Sequence, residues 1–379
     1  MVANSAAVLV LLAAMACGAA GLNLTDLQRG IRAVQEQVHP APLIFAGTSN
    51  EPLAREVCQE LDVPLGRMRV GRFADGEISV QIEETVRGRS VFIIQSTCTP
   101  VNDNIIELVL MVNAFRKASA QTITAIIPYF GYARQDRKTA RVPISAAAVA
   151  HLIETSGVDR VVAVDLHCGQ IQGMFGPRLP VDNLGGAIVA LPHFTEVLQR
   201  RESSKVTVVS PDAGGVERAK KFQDGLRRFG IDAEFAMISK TRSGAGVIAS
   251  MKLIGDVSGS DCIIVDDMID TAGTLVEAGN TLRAAGADRV YAFATHGLFN
   301  KNALDRIDAS VFDEVVVCNT VPLQKTVPKI TQLSLGGLLA EAIDRIHNHR
   351  SVSVVFSGNT DFRTENSAAS SPTRSGVAL

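Results

Sequence analysis

The stretch Cys262-Ile263-Ile264-Val265-Asp266-Asp267-Met268-Ile269-Asp270-Thr271-Ala272-Gly273-Thr274 runs from an apolar segment into carboxylates and then small hydroxyl residues. A short β-branched run of this kind reads as a strand buried in a parallel sheet, and Leu275 to Ala285 after it has helical spacing. The polar residues therefore fall on a strand-to-helix turn. In open α/β sheets, ligands sit at such turns, outside the carboxyl ends of the strands. Thr271 to Thr274 would place backbone N–H groups and two hydroxyls at a helix N-terminus, which is a ready anion site. Asp266 and Asp267 repel a phosphate, so they suit sugar hydroxyls or a magnesium ion. One aspartate after a strand reads equally well as a helix cap. Three carboxylates and two threonines within nine residues read better as a sugar-phosphate site.

Outward from that stretch, apolar strands alternate with helical segments. Leu43 to Ala46, Val91 to Gln95, Ile123 to Ile127 and Val161 to Val164 read as strands, with Glu51 to Leu61, Asn102 to Ala118 and Pro143 to Thr155 helical between them. A second series of strands follows at Val206 to Val209, Ala233 to Ile238, Cys262 to Val265, Val290 to Ala294 and Val315 to Val317, with helices near Gly215 to Phe229 and Leu275 to Ala285. This βα alternation predicts an α/β fold of parallel sheets flanked by helices, and two sheets fit better than one of nine or more strands. The expected boundary lies near Gly185-Gly186, giving one domain over 42–186 and a second over 187–356. A helix, Leu335 to His347, and a short strand, Ser353 to Phe356, close the fold; that strand is placed either with the second domain or back with the first. Residues 357–379, rich in Ser, Thr, Asn and Ala, read as a disordered tail.

The 379 residues allow two domains of ordinary size. A hydrophobic share of 46%, a charged share of 20% and a net charge of -2 describe a soluble α/β enzyme and disfavour nucleic-acid or anionic-membrane partners. The six cysteines show no metal spacing and read as reduced core thiols, and no HExxH zinc motif is present. Residues 1–41 read as a leader. Its apolar run Ala6 to Ala16 resembles a signal-peptide core and falls short of the roughly 20 residues of a membrane span. With Arg29 and Arg32 in an amphipathic stretch after it, the segment suggests import into an organelle such as a plastid, the alternative being an extension on a cytoplasmic enzyme.

Other segments carry chemistry. Arg72-Phe73-Ala74-Asp75-Gly76-Glu77 forms a turn whose aromatic and carboxylates suit a purine, although Asp-Gly is also an ordinary turn dipeptide. Pro128 to Lys138 gathers aromatics and cations after a strand; with Tyr and Phe expected exposed, it reads as a nucleotide site with Arg134 on phosphate oxygens, or else as a solvated basic turn. Asp165 and His167 end a strand on one face, and with Gln170 and Gln172 they suggest a metal and phosphate site. Ser210 to Gly215 is a second strand-to-helix turn, where Asp212 could reach magnesium. Lys240 to Gly246 leaves a strand as a small-residue loop bearing two cations, either a lid over phosphates or a surface linker.

The opening loop resembles the phosphoribosyl-pyrophosphate motif shared by type I phosphoribosyltransferases and ribose-phosphate pyrophosphokinases. The pieces RFADGE, IIPYFGYARQD, DLHCGQIQG, SPDAGG, the Lys240-Thr241-Arg242 segment and VDDMIDTAGT occur in that order, and together they resemble the pyrophosphokinase family over about Leu43 to Phe356. The resemblance implies two tandem phosphoribosyltransferase-like (Rossmann-like) domains. It also implies pyrophosphoryl transfer from ATP to the C1 hydroxyl of ribose 5-phosphate, with magnesium. On the matching positions, Phe73, Asp75, Gly76, Glu77, Arg134 and Gln135 would bind ATP, and His167 and Asp212 would place the metal, assisted by Asp165 and Asp182. Asp266, Asp267, Asp270, Thr271, Ala272, Gly273 and Thr274 would hold ribose 5-phosphate, with Lys240 and Arg242 catalytic. Dimers building a hexamer, with inorganic phosphate and ADP as effectors, are further implications. The chain departs from the pattern at Phe175 to Pro180, which lacks an aspartate after the aromatic, and at a shortened Arg137 to Arg141, which puts regulation in question. A non-catalytic regulatory subunit of the same fold and a true phosphoribosyltransferase are the alternatives.

Overall fold

The computed structural model describes residues 40–357 other than 202, 204, 245 and 246, and for 240–250, 356 and 357 it describes the backbone alone. Residues 1–39 of the expected leader and the tail 358–379 lie outside the described residues.

The chain opens with strand β1 Leu43–Ala46, passes through an antiparallel hairpin of β2 Met68–Arg72 and β3 Ile78–Ile82, and continues with β4 Ser90–Ile94, β5 Thr122–Ile127, β6 Arg160–Val164 and β7 Val181–Leu184. The first sheet takes five of these in the order β1-β4-β5-β6-β7, all parallel. Parallel strands need crossovers, and helices α1 Glu51–Glu60, α2 Val101–Lys117 and α3 Ser145–Thr155 supply them. The chain leaves this sheet after Leu184 and enters helix α4 Ala187–Arg200. The strands that follow are β8 Val206–Ser210, β9 Ala233–Gly244, β10 Val247–Ile254, β11 Asp261–Ile269, β12 Arg289–Gly297, β13 Glu314–Cys318 and β14 Ile330–Leu333. They form a second, seven-stranded sheet in the order β10-β9-β8-β11-β12-β13-β14, in which only the β9/β10 pair is antiparallel. Helices α5 Val216–Arg228, α6 Gly273–Ala284, α7 Ala303–Asp308 and α8 Gly336–His347 complete it, followed by a short α9 Ser353–Ser357.

The central strands are apolar almost throughout because both of their faces are covered. One core fills the space between the sheets. It takes Phe92 and Ile94 from β4, Phe194 from α4, Phe222 from α5 and Phe293 from β12. Phe194 is fully buried and meets Phe222 and Tyr291 edge-on, with ring centroids 5.8 and 6.2 Å away. The sheets are therefore packed through one shared apolar layer.

Several expectations are corrected. The segment Arg72 to Glu77, whose flanks read as helical before and strand after, instead has a strand on both sides: Arg72 ends β2 and Phe73 to Glu77 turn the β2/β3 hairpin. Ser353 to Phe356 is helical: the Ser353 N–H donates to the Ser351 hydroxyl at 3.2 Å, the Val355 N–H donates to the Val352 carbonyl at 2.9 Å, and Val355 is buried. The expected loop at Lys240 to Gly244 continues strand β9, pairing Lys240 with Met251 and Arg242 with Ile248. Strands β7 and β14, of four residues each, are too short to stand out in the sequence, and β2, β3 and β10 are further strands that the sequence reading missed. Of the cysteines, Cys58, Cys98, Cys262 and Cys318 are buried free thiols and Cys168 is half-buried; Cys17 lies outside the described residues. Among the described residues, no helix is long and apolar enough to cross a membrane.

The shared core gives a direct expectation for stability. Phe194→Ala should cost about 3 to 5 kcal/mol in denaturant unfolding, the range for deleting a buried aromatic ring. A loss below about 1 kcal/mol would show that the layer between the sheets does not hold them together.

Candidate active site

A cavity of about 960 Å³ opens where the carboxyl ends of strands from both sheets meet. Strand β11 delivers Asp266 and Asp267 to it, and the turn after β11 delivers Asp270, Thr271 and Ala272. Ala272 sits at φ +59°, a left-handed conformation uncommon for a residue with a Cβ, and it is buried. This kink starts α6, and Ala272 at its N-cap position gives the first N–H groups no side-chain capping hydrogen bond. Those donors, beside Thr271 and Thr274, face the cavity as an anion site.

Asp270 is fixed from two sides. Asn300 donates to its Oδ1 at 2.7 Å and Arg134 donates to its Oδ2 at 2.5 Å. Burial acts to raise the Asp270 pKa, but these donors outweigh it and hold the carboxyl below its ordinary value. Arg134, placed after β5, thereby joins the two sheets, and Gln135 beside it also lines the cavity.

Asp267 is almost fully buried, and its Oδ2 meets His167 Nδ1 at 2.6 Å. Arg218, in the first turn of α5, lies 3.6 Å from Asp267 Oδ1 and 3.5 Å from Asp266 Oδ1. Burial works to raise the Asp267 pKa, but His167 and Arg218 overcome it and the carboxyl stays depressed. His167 is raised in turn, chiefly by its hydrogen bond to Asp267. Asp266 is pushed up to about 7, by burial first and by the Asp267 charge second. Asp212 stands at the turn after β8, where its Oδ1 accepts from the Gly215 N–H at 3.0 Å, and it lines the same cavity.

Two candidate metal carboxylates lie elsewhere. Asp182 accepts from Arg160 at 2.7 Å, and Arg160 is the first residue of β6, so this pair sits toward the opposite end of the sheet from the strand ends that form the cavity. Asp165 does not line the cavity; its Oδ2 accepts from the Gly186 N–H at 2.8 Å and from the Thr295 hydroxyl. Phe73, Asp75, Gly76 and Glu77 also stand outside the cavity, exposed at the tip of the β2/β3 hairpin. Tyr129 and Phe130, expected exposed, are buried; of that aromatic group only Tyr132 is open to solvent. Gly273 starts α6 beside Thr274, while Gln170 and Gln172 lie outside the lining, in the short 3-10 turn Gly169–Met174. Lys240 and Arg242 follow Ser239, which lines the cavity, and their side chains are outside the described residues. Arg218 and Asn300 escaped the sequence reading. The only available signal was Arg218's position one turn after the Asp212 loop.

Parallel strands that bring carboxylates to an open helix N-terminus, with arginines across the cavity, define an α/β enzyme suited to a phosphorylated ligand. Comparison with known proteins narrows this. Residues 42–157 match the model of the N-terminal domain of ribose phosphate pyrophosphokinase, and residues 237–357 match that of the phosphoribosyl synthetase-associated domain. The chain is 51% identical over 322 residues to the ribose-phosphate pyrophosphokinase of Buchnera aphidicola subsp. Acyrthosiphon pisum, covering 84% of this chain and 99% of the relative. It is equally 51% identical, over 319 residues, to that of Shewanella oneidensis, covering 83% and 98%. The crystal structure of phosphoribosylpyrophosphate synthetase from Mycobacterium smegmatis superposes with a TM-score of 0.75 at 40% identity, covering 81% of this chain and 99% of that one. The chain belongs to the ribose-phosphate pyrophosphokinase family of enzymes.

The carboxylate pair gives a titration to follow. Asp266, raised when folded, favours the fold fully below its unfolded value of about 3.9, and that contribution is lost as pH rises toward about 7. Asp267, depressed when folded, contributes stability above its unfolded value, which is lost as pH falls through its lower folded one. In Asp267→Asn, the carboxyl carbon resonance of Asp266 should titrate at lower pH than in the wild type, both measured with divalent ions chelated. An unchanged midpoint would leave burial as the sole cause.

Proposed function

We propose that this cavity transfers the pyrophosphoryl group of ATP to the C1 hydroxyl of ribose 5-phosphate, giving phosphoribosyl pyrophosphate and AMP. The observation that carries the reading is the single cavity that holds both the turn at Thr271–Thr274 and Arg134, His167 and Asp212. The turn takes the 5-phosphate on its N–H groups and hydroxyls. Asp266 and Asp270 accept from the ribose hydroxyls, while Asp267 holds His167. Arg134 and Gln135 anchor the nucleotide phosphates. The C1 oxygen then attacks the β-phosphorus and AMP leaves, a step governed by positioning and electrostatics.

Among the described residues, the cavity lining has five carboxylates, Asp136, Asp212, Asp266, Asp267 and Asp270, against Arg134, Arg137, Arg218 and His167. A polyphosphate entering it meets these carboxylates, and a divalent cation would offset their repulsion. Among the described residues, no group of three His, Cys, Asp or Glu could hold a metal by itself. Magnesium does not need one, since it commonly binds one or two protein ligands and takes substrate phosphates and water for the rest. His167 and Asp212 would hold it, and when bound it neutralises charge on the transferred group. Asp165 and Asp182 have no part in that set.

The exposed hairpin tip with Phe73, Asp75, Gly76 and Glu77 reaches ATP only if a second copy presents it, which agrees with a homo-oligomer built from dimers. Domains over 42–186 and 187–356 follow the change of sheet after Leu184. The leader at 1–41, with Ala6 to Ala16, supports organelle import, plastid being the reading argued from sequence.

An assay for AMP formed from ATP and ribose 5-phosphate tests the reaction; absence of AMP with both substrates and magnesium refutes it. Running it with added inorganic phosphate and with ADP tests both as effectors. Lys240→Ala should slow turnover by roughly a hundredfold to a thousandfold while ATP binding changes little, the range for removing one transition-state donor. Weaker ATP binding with normal turnover would remove Lys240 from catalysis.

A further inference from the structure

Asp165 follows β6 at φ +40°, a left-handed conformation that aspartate and asparagine enter more readily than most residues. Its Oδ2 accepts from the Gly186 N–H and the Thr295 hydroxyl, and its carbonyl lies 3.1 Å from His296 Nε2. A carbonyl only accepts, so His296 carries a proton on Nε2. Burial lowers the pKa of His296 and so favours the neutral ring; its Nδ1 lies 3.0 Å from the Thr320 hydroxyl, which itself donates to the Thr295 carbonyl at 3.1 Å. The Ser96 hydroxyl donates to the Thr320 carbonyl at 2.6 Å, returning the network to the first sheet. Thr295, His296 and Thr320 are all buried. The fit is close: a Cβ on Gly186 would lie 2.6 Å from Thr295 Cγ2 and 3.1 Å from Asp165 Oδ2.

The network stands directly behind the cavity. Across the β11/β12 ladder, Asp266 pairs with Ala294 and Met268 with His296, so Thr295 flanks Asp267. Two residues after Asp165, His167 meets that same Asp267. Both ends of the 165–167 turn are thus tied to neighbouring positions of the second sheet. We infer that Asp165, through Thr295 and His296, is a positioning residue that sets His167 against Asp267 and does not ligate metal. The donors on Oδ2 commit that oxygen to the turn, and Asp165 does not line the cavity. This inference rests on the proposed reaction for its kinetic effect, and on the geometry alone for its effect on the turn.

Three variants test it: Asp165→Ala, Asp165→Asn and Thr295→Val, with thermal melting to confirm folding. Asp165→Ala should lower kcat by about tenfold or more, with the half-saturating magnesium concentration changed by less than about twofold. Asp165→Asn should restore kcat to within about threefold of wild type, because the amide oxygen accepts from the same donors and asparagine tolerates the backbone. Amide hydrogen exchange over 166–172 should rise in Asp165→Ala and Thr295→Val but not in Asp165→Asn. If Asp165→Asn is as slow as Asp165→Ala and needs more magnesium, Asp165 is a metal ligand and the inference fails. It fails too if melting temperature drops while kcat and exchange stay normal. A wild-type protein that forms no AMP would overturn the proposed reaction, and the exchange pattern would then decide the positioning role on its own.

Discussion

A carboxylate buried as deeply as Asp267 stays charged only with cationic or hydrogen-bonding partners. Its own sheet provides one in Arg218, and the other, His167, comes from the turn after β6 in the first sheet. The contact therefore fixes where the two sheets meet: the carboxyl ends of β6 and β11 must face each other. The cavity is the space left between them. The aromatic layer around Phe194 holds the sheets together, but an apolar layer is tolerant of small shifts, whereas a 2.6 Å polar contact is not. Packing supplies cohesion and the imidazole–carboxylate contact supplies register.

That contact also divides the two adjacent aspartates into different chemical species. With Asp267 held charged, burial and its neighbour drive Asp266 up to about 7. Near neutral pH, then, one of the pair is an anion committed to structure and the other stands poised to gain or lose a proton at the cavity wall. A protonated Asp266 lessens the repulsion toward an incoming phosphate, and an ionised one accepts more strongly from a sugar hydroxyl. Both states suit the proposed acceptor site.

The periodic part of the fold was legible. Short β-branched runs and helical spacing marked the central strands and their crossovers because these elements are buried on definite faces. The cavity turn was legible for a related reason: at Asp266 to Thr274 the polar residues are contiguous in the chain. What the sequence could not show depends on direction and distance. Asp165 and His167 share a strand-end face by spacing, yet the left-handed φ at Asp165 turns its carboxylate toward Gly186 and Thr295. Asp182 lies early in its strand, where Arg160 of the neighbouring strand claims it. Tyr129 and Phe130 looked expensive to expose and are in fact buried, Tyr129 against His296 with ring centroids 5.0 Å apart. Arg218 acts through a helix turn far along the chain from both aspartates, so no local pattern announces it. The strand continuing through Lys240 was hidden by small residues with weak strand propensity, whose pairing with β10 overrides that preference.

The two walls of the cavity are built differently. On one wall the Asp270–Thr274 turn is fixed from several directions. Asn300 and Arg134 hold Asp270, Arg306 donates to the Thr271 carbonyl at 3.3 Å, and buried Ala272 sets the kink. Such a turn changes little when a phosphate arrives, so little ordering cost accompanies binding. Opposite it, strand β9 passes Met237 and Ser239 along the lining and continues beyond the sheet's body as a two-stranded arm with β10. Beyond Met237 strand β9 is paired on one side alone, by β10. An acceptor turn held still is the arrangement in which binding energy is converted into orientation of the attacking oxygen, which is where the proposed transfer between two bound substrates gains most of its rate.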